Sequence, residues 1–472
     1  LICADGYLEV ILFTDLKLLV PMKNILILFA SICLISCTEL NFTEIPLLNK
    51  TNPIVAPIDT FLVEGEFVPN QVLVKFRVPV TVEKRDSIFK ALSATVNEFI
   101  HTKAMKQYGD STGLYVLDIP LKMNEALEMG KDFKELAYVE PNFIVQPVST
   151  SNDPYFKNNL LWNLGEDFGT NASLVWSKGY VGSKKIFVGV LDAGVMIQHE
   201  DLVDNIWVNA KDPLNKLDDD RNGFIDDANG WDFDGGNNSV FDGLLDEHGT
   251  QVAGVIGALG GNAKGIVGMN WNISMIPVKF IGSQGGTISN AIKAISYLIQ
   301  LKTDQQLNLV AINASWGTSA YSHSLFQAVG LAEKADVLFV AAAGNNATSL
   351  ELSPYYPASY PNANIISVGA STATGTLASF SSYGVTSVDL VAPGVGIYTT
   401  VPSKVLASAY AEFNGTSLAA AHVTGAVALY ASIQKKMPTA KLVKAALLDS
   451  IVIQTNLKAK VGRAGRLNTA NF

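Results

Sequence analysis

Beyond residue 180 the chain alternates short β-branched runs with longer helical ones, and this rhythm limits the fold more than any other feature. The strand-like runs fall at 186–191, 275–280, 310–314, 337–342, 365–368 and 388–392. The helical ones fall at 250–258, 288–301, 325–334 and 417–432. Alternation of this kind predicts a mostly parallel sheet covered by helices on both faces. Sites in such sheets lie at the carboxyl ends of the strands. Asp192, Ser315 and Asn345 each follow a predicted strand, while His248 and Ser417 open predicted helices, so one rim can hold all five. The interior is large: only 16% of the 472 residues are charged and 48% are hydrophobic, against roughly 25% charged in an ordinary domain.

The net charge of −9 argues against nucleic acid as a partner, because a phosphate backbone asks for clustered Lys and Arg, and the chain has no basic stripe. All three cysteines, Cys3, Cys33 and Cys37, lie in the first 37 residues, so no disulfide framework staples the body.

Met22-Lys-Asn followed by the apolar run 25–35 has the layout of a secretory signal. Its ending, Leu34-Ile-Ser-Cys37, resembles the lipobox of bacterial lipoproteins, which implies export across the inner membrane and a lipid anchor at Cys37 holding the chain to the bacterial envelope. A plain signal peptide with a chance cysteine is the alternative. Residues 1–21 lack an initiating Met and read as upstream translation or a fragment edge, so 1–36 is taken as upstream segment plus signal. Residues 37–66 form a Pro- and Asn-containing tether. From 67 to 147 the pattern tightens into a small α+β unit. Strands are expected at 72–76 and 113–117, helices at 82–98 and 123–136, and a last strand at Tyr138-Val-Glu-Pro-Asn142.

Three segments carry residues suited to catalysis. Val188-Gly-Val-Leu-Asp192-Ala-Gly194 sets a carboxylate at a strand end, where a turn Asp is the plain alternative. Glu247-His248-Gly-Thr-Gln-Val-Ala-Gly254 sets an imidazole at a helix start, although spacing alone does not choose among His101, His199, His248, His323 and His422. Asn414-Gly-Thr-Ser417-Leu-Ala-Ala-Ala-His422-Val-Thr-Gly425 puts a hydroxyl at the start of an Ala-rich helix, where it is expected to cap the helix and where the helix end favours developing negative charge.

Together and in this order, the three segments resemble the signature blocks of the subtilisin-like serine proteases. Asn313-Ala-Ser315-Trp-Gly317, Ala341-Ala-Ala-Gly-Asn345 and Val391-Ala-Pro-Gly394 extend the resemblance over nearly all of 153–472. It implies an α/β subtilisin-like three-layer fold and a serine endopeptidase. Asp192, His248 and Ser417 would be its triad, Asn345 its oxyanion donor, and Ser315, Trp316 and Gly317 its strand for extended protein or peptide substrates. The unit at 67–147 resembles an inhibitor-type prodomain, which implies the chain's own prodomain as a partner and autocatalytic cleavage around 143–152. Three departures stand out. Leu418 and Ala421 replace the Met and Pro usual in the nucleophile block, and Tyr355 stands before a Tyr-Pro pair where Gly is frequent, which would narrow the specificity pocket.

The stretch Asp218-Asp-Asp220-Arg-Asn222-Gly-Phe-Ile-Asp226 spaces oxygen ligands as a calcium loop does. A structural Ca²⁺ on Asp218, Asp220, Asn222 and Asp226 is therefore expected, although Asn229 stands where a bidentate Glu would complete an EF-hand. The rivals are a pseudo-protease that keeps the fold without the reaction and a calcium-dependent envelope protein. The second leaves the triad blocks unexplained. A zinc protease is disfavoured because His199-Glu200 has no second His four residues after the first.

Overall fold

The computed structural model describes residues 67–144, 150–165, 167–403 and 408–472, plus the backbone of the strands Ile2–Ala4, Tyr7–Ile11 and Lys17–Pro21, which pair in antiparallel succession. The signal, Cys37 and the tether lie outside the described residues, as does 145–149 within the expected cleavage region. The chain divides into two compact units, Leu1–Ile144 and Val145–Phe472.

In the first unit, four antiparallel strands stand in the order Thr95–Ile100, Leu114–Asp118, Phe67–Phe76, Leu136–Phe143. Val72, Val74 and Phe76 alternate inward and meet Ile88, Phe89 and Ala126 of the helices Val82–Ala91 and Met123–Lys131. Both helices are shorter than their apolar periodicity predicts. The first ends where Ser93 turns left-handed (φ 51°) and the Ala94 amide folds back on the Phe89 carbonyl, after which Thr95–Ile100 joins the sheet as an exposed edge strand. The second stops at Lys131, because Leu136 starts the last strand.

The second unit is built on nine strands. Their order is Val452–Ile453, Gly465–Arg466, Leu390–Pro393, Ile365–Ser371, Leu338–Ala342, Leu309–Ala314, Gly182–Asp192, Asn272–Lys279 and Trp231–Asp232. All neighbours run parallel except the first pair. Alternate residues of each strand feed two separate cores, as the period of two requires. Val188, Val190, Val340 and Val368 face the helices Glu247–Gly257 and Thr416–Ile433, while Leu191, Phe339 and Ile365 face Ile288–Gln305 and His323–Lys334. The result is the three-layer α/β/α arrangement expected from the alternation.

Helix Thr416–Ile433 is long and apolar enough to cross a membrane, yet 78% of it is buried inside the unit. Its alanines and Gly425 explain why it belongs there. A Cβ on Gly425 would come within 2.5 Å of Met269, so small residues let this helix press against its neighbours. Thr287, Ser322 and Thr439 cap other helices of the unit through their hydroxyls, at the boundaries their side chains favour.

Candidate active site

Asp192 ends its strand with 1% of its surface exposed. Its Oδ1 accepts hydrogen bonds from the Ala193 amide and from Nδ1 of His248, both at 2.7 Å. Two glycines make that meeting possible. Gly194 adopts φ 135°, and a Cβ on Gly249 would come within 2.2 Å of the Gly194 carbonyl, so only glycine lets the His248 helix close on the loop after Asp192. The Met196 amide donates to Thr250 Oγ1 and completes the seam. His248 donates through Nδ1, so Nε2 is the ring nitrogen left for another partner. The negative charge of Asp192 raises the imidazole pKa, against the opposing effect of burial.

The other four histidines make their contacts elsewhere, and His248 is the one that meets Asp192. His101 lies in the first unit on the Asp110 carbonyl, and His199 is buried against the Ala409 carbonyl. His323 opens a different helix. His422 sits fully buried between the Leu418 carbonyl and Asn163, and burial lowers its pKa to about 4.

Ser417 is the second residue of its helix rather than its cap. The cap position is the extended Gly415, and the acceptor that satisfies the first helical amide comes from another loop: Asn345 Oδ1 takes both the Thr416 amide (2.9 Å) and the Thr416 hydroxyl (2.8 Å). Capping from a distance leaves the Ser417 hydroxyl unused by its own helix. It donates to the Ser315 carbonyl at 3.2 Å, and among the described residues it has no bond to His248. With Oδ1 occupied, Asn345 keeps its amide hydrogens for another partner. Thr416 lies inside the motif 414–425, but nothing in its spacing announces this role.

The strand–loop segment Ser315–Trp316–Gly317 is held from both sides. Ser315 Oγ donates to the Ser417 carbonyl (2.9 Å) and accepts from Asn313 Nδ2 (2.8 Å), and the Trp316 indole donates to the Leu191 carbonyl (3.0 Å). Asn313 in turn accepts from Thr424, so a second buried polar side chain that the sequence did not single out ties this segment to the Ser417 helix. Tyr355 fills the space between this segment and the Asn345 loop. A Cβ on Gly317 would lie 2.4 Å from its ring, and one on Gly344 would lie 3.2 Å away.

The acidic loop is assembled only in part. Asp218, Asp220 and Asn222 share one turn, with the Asn222 amide donating to both carboxylates. Asp226 turns aside, and its carboxylate accepts from the Asn215 and Lys216 amides. The loop also holds two buried carboxylates that the spacing did not mark. Asp212 accepts the Asp219 and Asp227 amides, and Asp227 accepts from Asn209, Asn222 and the Tyr297 hydroxyl. Burial pushes the Asp227 carboxyl up to about 6. Among the described residues no three or more His, Cys, Asp or Glu side chains are arranged to hold a metal ion.

A carboxylate, an imidazole and a serine carried on one sheet rim, with a prodomain-sized unit ahead of them, define a class that sequence comparison identifies independently. The chain belongs to the Subtilase family (peptidase S8), which matches residues 183–469, and residues 59–142 match the fervidolysin N-terminal prodomain. It is a subtilisin-like serine endopeptidase with an N-terminal prodomain.

Among its relatives is the thermophilic serine proteinase of Bacillus sp. (strain AK1), 31% identical over 388 residues that cover 80% of this chain and 82% of the relative. Alkaline elastase YaB of Bacillus sp. (strain YaB) is 33% identical over 337 residues, 71% of each chain. A solved protease structure from Pseudoalteromonas arctica superposes with a TM-score of 0.51 at 24% identity. It covers 68% of this chain and 98% of the other, and it supports the fold.

Proposed function

We propose that Ser417 is the nucleophile, His248 its general base, Asp192 the residue that fixes the imidazole, and Asn345 the oxyanion donor. The observation that carries this reading is the 2.7 Å contact between His248 Nδ1 and the buried Asp192 carboxylate. It directs Nε2 outward as the proton acceptor a serine needs. Ser417 Oγ leaves the Ser315 carbonyl, gives its proton to His248 and bonds to the scissile carbonyl carbon. The imidazolium then returns that proton to the leaving amine, and water releases the acyl group by the same steps. The Asn345 amide and the Ser417 N–H take the oxyanion. Losing one such donor costs a subtilisin about 10²–10³ in turnover, and Asn345→Ala is expected to do the same here.

Extended substrate would pair with the backbone of Ser315, Trp316 and Gly317, which asks little of its sequence. The ring of Tyr355 against Gly317 and Gly344 supports a preference for small side chains at the residue whose carbonyl is attacked. Peptides differing only at that residue test this: Tyr355→Gly should gain on aromatic substrates by roughly 10–200-fold, the range that pocket size commands.

Maturation follows from the same chemistry. The prodomain would be cut away in the region 143–152 by Ser417 itself. Expression with and without Ser417→Ala tests both readings. Only the unmutated chain should digest casein, label with a fluorophosphonate and shorten by its prodomain, whereas equal behaviour of the two chains favours a pseudo-protease.

Two further readings rest on sequence alone. Export and acylation at Cys37 would hold the enzyme to the bacterial envelope. Loss of membrane partitioning and of labelled fatty acid in Cys37→Ser tests this. A structural Ca²⁺ on Asp218, Asp220, Asn222 and Asp226 rests on the spacing of their oxygens. Unfolding temperature with calcium and with chelator tests it.

A further inference from the structure

We propose that Lys279 is a positioning residue for the reaction, its ammonium tying the loop that carries Asp192 to the start of the helix that carries His248. The inference rests on the triad reading above and deepens it. Lys279 closes the strand Asn272–Lys279, where it is the Cα partner of Asp192 on one side and of Asp232 on the other. Only 2% of it is exposed. A lysine this deeply buried is rare unless every donor is answered, and here each of its three N–H groups has an acceptor. Nζ donates to the Ala193 carbonyl at 2.9 Å, to Asp246 Oδ1 at 2.9 Å and to the Ile281 carbonyl at 3.1 Å. Ala193 follows Asp192 directly, and Asp246 stands two residues before His248.

The behaviour of Asp246 is the second observation. It occupies the cap position of the helix Glu247–Gly257, where a carboxylate ordinarily accepts the first free amides. It makes no such bond. Oδ1 goes to Lys279, and Oδ2 accepts the Asp242 amide at 2.6 Å. The helix thus forgoes a local cap while its first acidic group is committed to a cation on the neighbouring strand, 33 residues away. A pair used only to neutralise charge could sit anywhere along the sheet. This one spans the single seam across which Asp192 must meet His248. Asp242, whose Oδ2 lies 3.7 Å from Nζ, and the buried Asp232 complete the charged surroundings of the ammonium, and Glu247 adds to those of His248.

The test is kinetic, in the full chain, with Ser417→Ala as the inactive reference. The double variant Lys279→Met/Asp246→Leu removes one charge of each sign, so neither member of the pair is left without its partner. Folded to a wild-type unfolding temperature, it is expected to lose about 10²-fold in kcat, the scale of a small misplacement of catalytic groups, with KM unchanged. The acid-side midpoint of kcat/KM should fall as the His248–Asp192 contact loosens. A folded double variant with wild-type kcat and midpoint overturns the inference. Should the double variant fail to fold, Asp246→Asn alters a single atom of the pair. Reduced kcat at constant KM in that chain supports the inference, and wild-type kcat overturns it. If the unmutated chain itself shows no Ser417-dependent cleavage, the triad reading has failed instead.

Discussion

Two regions of the second unit bury acidic side chains, and they do so by different means. At the corner where Asp192, His248, Asp246 and Lys279 meet, each charge faces a side chain that donates to it or accepts from it, at 2.7 Å between His248 and Asp192 and 2.9 Å between Lys279 and Asp246. In the loop around 209–229, Asp212 and Asp227 are just as deeply buried, yet backbone amides, asparagines and a tyrosine answer them. No ion pair reaches the loop's carboxylates among the described residues. Ion pairing fixes direction and distance, which catalysis needs. Neutral donors fix a loop's path but do not offset the cost of burying the charge, and burial pushes the Asp227 carboxyl up to about 6.

The largest test of this contrast is Asp192→Asn. It keeps the shape of the corner while offering His248 the wrong hydrogen-bond partner, and kcat should fall by about 10⁴. The pH profile sharpens the point. Because Asp192 raises the His248 pKa, activity should rise on the alkaline side of an ordinary histidine's pKa near 6.5 and move to lower pH in the variant, as followed by kcat/KM.

A buried group with no charged partner provides the control. His422 is held neutral between Leu418 and Asn163 with its pKa lowered to about 4. The unfolded chain takes up a proton near pH 6.5 that the folded chain refuses. Stability from this group is therefore present above pH 6.5 and lost as pH falls to about 4, by about 3 kcal/mol in all. His422→Asn should flatten that part of the unfolding temperature against pH. The smallest effect is expected in the loop, where Asp220→Asn should leave kcat unchanged and abolish any calcium-dependent gain in unfolding temperature. A loss of kcat there would mean that the two regions are coupled.

The sequence made the site legible where the backbone itself signals. Asp192 sits at a strand end beside Gly194, His248 and Ser417 sit at helix starts, and each lies in a short continuous motif. What stayed hidden joins distant segments. Lys279 and Asp246 stand 33 positions apart on different elements, and Asn345 caps a helix 71 positions away. Neither periodicity nor propensity reports such contacts. The overlong helix expected at 82–98 has the opposite origin: Val96 fits a helical stripe, but it belongs to an exposed edge strand whose pairing with Leu114–Asp118 is not local. Asp226 shows the same limit within a loop, since its position in the motif fits a ligand while its φ of 60° turns the carboxylate toward Asn215 and Lys216.

The central claim is that Ser417, activated by His248, attacks the substrate carbonyl. Its most direct test is to treat the chain with a fluorophosphonate and locate the adduct by peptide mass spectrometry, in the unmutated protein and in His248→Ala. A single adduct on Ser417 that is lost in His248→Ala is the predicted result. An adduct on another residue, or equal labelling of Ser417 in both chains, would contradict it.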